Sequence, residues 1–73
     1  MKYYFDFSKL RGRIREICGT EENWAKMMGF SNWSKSMKLN NKSYFTSEEI
    51  IRCCEILKIK RDEIGIYFFN IIK

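Results

Sequence analysis

The 73-residue chain has room for one domain and none for a second core. At this size folding buries only about 60% of the unfolded chain's surface, so the 45% hydrophobic and 16% aromatic content must supply most of the stabilisation. With 32% charged residues and a formal net charge of +5, the composition excludes a disordered chain. No apolar run approaches the roughly 18 residues that a bilayer span requires, so no membrane contact is expected.

Cys18, Cys53 and Cys54 cannot all pair within one chain, and sequence neighbours are poorly placed for an ordinary disulfide. They read as reduced, buried small hydrophobes of a cytoplasmic protein. Without histidine, a closed four-ligand zinc site would need a carboxylate or another unusual ligand. The same absence removes Ser-His and Cys-His nucleophilic chemistry. The expectation is therefore a protein that is not an enzyme and has no metal, cofactor or small-molecule ligand.

In chain order, residues 1–7 form an aromatic, extended segment. A first helix is predicted from Ser8, as N-cap, to Cys18, with Leu10, Ile14, Ile17 and Cys18 on its buried face. Thr20 caps a second helix through Met28, with Trp24, Ala25 and Met28 inward and Glu21-Glu22 complementing its N-terminal dipole. Gly29 stops that helix, Phe30 is expected to be buried in the turn, and Ser31 caps a third helix reaching about Asn40.

After the polar loop Asn40-Asn41-Lys42-Ser43, Thr46-Ser47-Glu48-Glu49 reads as a capping box, with Phe45 and Ile50 as a hydrophobic staple. Ile50, Ile51, Cys54 and Leu57 give the apolar stripe of the fourth helix. A fifth starts near Asp62, with Ile64, Tyr67 and Phe68 inward. Residues 65–73 are nearly all apolar, and such surplus suggests burial against the other terminus or a second copy. The whole chain thus reads as one all-α, five-helix domain.

The positive charge is uneven. Lys9, Arg11, Arg13 and Arg15 crowd one stretch, and from Asn23 to Ser47 there are four lysines and no acid. This points to a polyanionic partner, docked electrostatically by Lys9, Lys26, Lys35, Lys38 and Lys42. Two short helices joined at a glycine, over residues 21–40 of a basic helical domain, are the layout of a helix-turn-helix. Ala25 permits close helix approach, and Gly29 supplies the positive φ of the turn.

The segments Phe5 to Ile14, Gly19 to Ala25, Leu39 to Ser43 and Phe45 to Ile50 together resemble the lambda-repressor-like, or XRE-type, helix-turn-helix proteins, among them small phage Cro-like regulators. The resemblance covers nearly the whole chain. It implies a nucleoid-associated transcriptional regulator in a bacterial host, bound as a homodimer to an inverted-repeat operator of double-stranded DNA. Its base readers would be Ser31, Asn32, Trp33 and Met37, joined by Lys35 and Ser36; Asn32 is suited to adenine. Phosphate contacts would come from Thr20 and Asn23 and from Asn40, Asn41, Lys42 and Ser43, beside Lys9, Lys26 and Lys38.

A dimer contact is placed on Ile66, Tyr67, Phe69 and Ile71, with half-sites about 34 Å apart. Three positions depart from the pattern. Glu21 stands where the family tends to have Gln, and a carboxylate there would repel phosphate. Lys35 and Lys38 occupy positions that call for inward-facing aliphatics. Either the third helix is rotated so that Phe30, Trp33 and Met37 pack inward, or the lysines snorkel past Leu39 and leave Trp33 outside. Burial of two large side chains favours rotation.

A second reading keeps the scaffold and changes the function to a phage-encoded protein-interaction module, an inhibitor or antirepressor. Glu21 and an outward Trp33 favour it, whereas the acid-free central stretch favours nucleic acid.

Overall fold

The computed structural model describes residues 3–72 of the chain; Met1, Lys2 and Lys73, at the ends of the two terminal segments, lie outside them. The helices are α1 (Ser8–Cys18), α2 (Glu21–Met28), α3 (Asn32–Leu39), α4 (Ser47–Leu57) and α5 (Ile64–Phe68), the last entered through a 3-10 turn at Arg61–Glu63. The all-α, five-helix reading holds. Among the described residues no helix is long and apolar enough to cross a membrane.

Helix boundaries follow local chemistry. Thr20 Oγ1 accepts from the Asn23 N–H, and Ser31 Oγ from the Ser34 N–H. Gly29 takes the left-handed conformation that ends α2, at φ 81°. At α4 the capping box is complete: the Glu49 N–H donates to Thr46 Oγ1, and the Thr46 N–H to Glu49 Oε1. The start of α1 differs from expectation. Ser8 is its first helical residue rather than its cap, because Asp6 Oδ1 accepts from both the Ser8 N–H and the Ser8 hydroxyl.

The core gathers Leu10, Ile14, Trp24, Met28, Leu39, Cys53, Leu57 and Phe68, with Phe7 and Ile59 closing its edges. Phe45 lies edge-on to Phe7, Trp24 and Phe68, linking the loop before α4 to three elements. Phe30 is half-buried, edge-on to Trp24.

Two predicted core residues lie outside. Ile51 is 58% exposed and Cys53 is buried instead. At about 100° per residue, Cys53, Leu57, Ile50 and Cys54 share one arc that Ile51 just misses. Ile17 is 39% exposed. The last turn of α1 turns Cys18 towards α2, where its thiol contacts Met27 Sδ at 3.7 Å, and Ile17 is left on the outside.

The two termini meet each other. Phe5 and Ile71 form an isolated antiparallel bridge, in which the Asp6 N–H donates to Asn70 O and the Ile72 N–H to Tyr4 O. Part of the apolar surplus is used there, although Ile66, Phe69 and Ile71 stay exposed.

Candidate protein-interaction face

The orientation of α3 is set by Leu39, which is buried, and by Lys38, whose side chain is only 13% exposed. The Lys38 ammonium lies 3.0 Å from Glu49 Oε1, donates to Tyr44 O at 3.1 Å and sits over the rings of Phe30 and Phe45. Burial pushes the Glu49 carboxyl up, but the Thr46 backbone N–H and the Lys38 ammonium outweigh it and hold the group below the ordinary carboxylate range.

With Lys38 inward, Trp33 is outward and 70% exposed, and Met37 is half-buried. The favoured rotation of α3 is therefore incorrect. A lysine stem can cover apolar surface while its ammonium reaches a carboxylate, so an inward Lys38 does not require the helix to turn.

Behind α3, Arg11 ties three elements together. Its Nη1 donates to both carboxylate oxygens of Glu21, at 3.2 and 3.1 Å, and its Nη2 donates to Leu39 O and Asn40 Oδ1. Arg15 approaches the same carboxylate at 3.5 Å. Glu21 is thus held by two guanidinium groups at the α1–α2 junction.

The residues assigned to phosphate divide in two. Lys9, Lys26 and Lys42 are exposed. Thr20 and Asn23 are engaged in the α2 cap, where Asn23 Nδ2 also donates to Cys18 O. Asn40 Nδ2 donates to Ser36 Oγ while its carbonyl accepts from Arg11. Asn41, at φ 61°, behaves as a strand partner: its Oδ1 accepts from the Phe5 N–H and its Nδ2 donates to Phe5 O. Ser43 is half-buried, with its N–H on Met37 O.

The cationic surface read from the sequence is accordingly interrupted, since Lys38 is neutralised by Glu49 and both loop asparagines are spent within the fold. Of the residues assigned to base reading, Asn32, Trp33 and Ser36 are exposed, Ser31 caps α3, and Lys35 and Met37 are half-buried. Tyr67, placed at a dimer contact, packs against the core.

Sequence reading missed Met27, which is 55% exposed on α2, and the Lys38–Glu49 and Arg11–Glu21 pairs. Neither pair has helical spacing, so no local signal marks them. The three cysteines are free thiols; Cys53 and Cys54 are buried and Cys18 is half-buried. Among the described residues no group of three Cys, Asp or Glu side chains is placed to hold a metal ion.

The chain is similar to the solution structure of the modulator of repression (MOR) of the temperate bacteriophage TP901-1 from Lactococcus lactis. The TM-score is 0.81 and the identity 41%, covering 90% of this chain and 89% of that one. No curated protein matches the chain. The likeness to a modulator of repression overturns the expectation of a Cro-like regulator that reads an operator, and favours the protein-interaction module instead. Residues 3–71 match a family described as "Protein of unknown function (DUF739)", and the chain belongs to that family.

Proposed function

We propose that this protein is a phage modulator of repression that acts by binding a repressor protein, built on a lambda-repressor-like helix-turn-helix scaffold that no longer reads DNA. The observation that carries this reading is the 41% identity to a phage modulator of repression over 90% of the chain. The internal engagement of Lys38, Asn40 and Asn41 supports it, because their donor groups cannot turn to phosphate without giving up Glu49, Ser36 Oγ or Phe5 O.

The test is calorimetric titration of this protein into the purified repressor encoded by the same phage or prophage. Saturable binding is expected, together with a change in the repressor's occupancy of its operator. This protein alone should leave that duplex unshifted. Absence of binding heat with unchanged operator occupancy would overturn the reading.

A further inference from the structure

We infer that the outer face of α3 docks on the repressor with the Trp33 indole as its anchor, and that the surface it fits is an apolar pocket bordered by carboxylates. The inference rests on the repressor-binding reading above.

Trp33 lies in the first turn of α3 and has the highest fractional exposure of the exposed large hydrophobic residues, at 70%, whereas Trp24 is fully buried. The core closes around Trp24 without it. At about 100° per residue, Trp33, Ser36, Met37 and Asn40 share one side of α3, opposite Lys35, Lys38 and Leu39. That side carries a Trp and a Met and no charged residue, which is the composition of the buried centre of a protein interface.

Charge selects the rim. From Asn23 to Ser47 there is no acid, and Lys38, which could have reached outward, is held by Glu49. Lys26 on α2 and Lys42 just beyond α3 are exposed, and neither forms an ion pair among the described residues. A partner surface with Asp or Glu around a hydrophobic pocket would complement these lysines while taking the indole. A nucleic-acid backbone would offer negative charge but no such pocket, and the asparagines beside the face are committed to Arg11, Ser36 and Phe5.

The experiment uses the full chain, the purified repressor and tryptophan emission, with the Trp33→Phe variant assigning the signal to Trp33. Docking should shift the solvent-exposed Trp33 component to shorter wavelength and leave the buried Trp24 component in place. Trp33→Ala should weaken binding by about 30-fold or more, the hot-spot threshold, with an unchanged melting temperature. A Lys26→Glu/Lys42→Glu variant should weaken it by about tenfold or more, and raised salt should do the same.

If the unaltered protein binds the repressor but Trp33→Ala binds equally well, the docking face is wrong and the repressor-binding reading survives. If the lysine reversals change nothing, the acidic rim is wrong. A Trp33 shift induced by duplex DNA alone would overturn the inference in favour of nucleic acid. If the unaltered protein does not bind the repressor, the functional reading fails and takes this inference with it.

Discussion

Lys38 and Glu49 meet at 3.0 Å, with their side chains only 13% and 23% exposed. The pair joins α3 to the capping box of α4, since the same Glu49 oxygen accepts from the Thr46 N–H. One carboxylate therefore caps the start of a helix, neutralises a cation and decides which side of α3 faces out.

Truncating Lys38 should be costly. A surface pair contributes at most about 1 kcal/mol and a broken buried pair costs about 3–5 kcal/mol, so this partly shielded one should lie between, near 2 kcal/mol for Lys38→Ala. Lys38→Met keeps a stem against Phe30 and Phe45 and should lose about 1 kcal/mol. Urea unfolding of both variants checks the order; equal losses would assign the whole effect to charge.

Stability should fall in acid through Glu49. Its folded-state pKa is depressed below the ordinary value of 4.5, so the stabilisation is fully present above that value and is lost as pH falls through the lower, folded one. Glu49→Gln should flatten the decline in melting temperature between about pH 5 and pH 3. A decline as steep as in the unaltered protein would place the acid sensitivity elsewhere.

The helices were legible because their signals are local: Thr20, Gly29, Ser31 and the Thr46–Glu49 box each act within one turn of chain. The side of α3 that faces out was not, because it depends on Glu49, eleven positions from Lys38, and on the fixed place of Leu39. Composition recorded four lysines and no acid over Asn23 to Ser47, but an acid just past that stretch folds back on it. Asn41 misled for a similar reason: a polar loop residue after a helix suits phosphate, and its actual partner is the backbone of Phe5, 36 residues away.

Asn41 should accordingly matter for stability. Asn41→Gly keeps the left-handed backbone and loses two hydrogen bonds, at about 1 kcal/mol each. Asn41→Ala adds the cost of a β-carbon at positive φ, about 1 kcal/mol more. Chemical denaturation should rank the unaltered protein above Asn41→Gly and that above Asn41→Ala. Amide exchange at Phe5 should accelerate in both variants. Unchanged protection there would mean that the terminal pairing does not need Asn41.

The cysteines should react in order of exposure. Burial pushes the Cys53 thiol up to about 12, despite the Trp24 Nε1–H donated to its sulfur at 3.3 Å, and burial also raises Cys54 and Cys18. Alkylation requires the thiolate, so Cys53 is protected both by its pKa and by the core around it. Cys18, half-buried at the end of α1, should be alkylated first under native conditions at pH 8. Cys53 should be labelled only as fast as the domain opens, and its labelling should accelerate with urea in step with global unfolding. Mass spectrometry of the partly labelled protein reads both. Labelling of Cys53 before Cys18 in native buffer would show that the packing around Trp24 opens independently of the rest of the core.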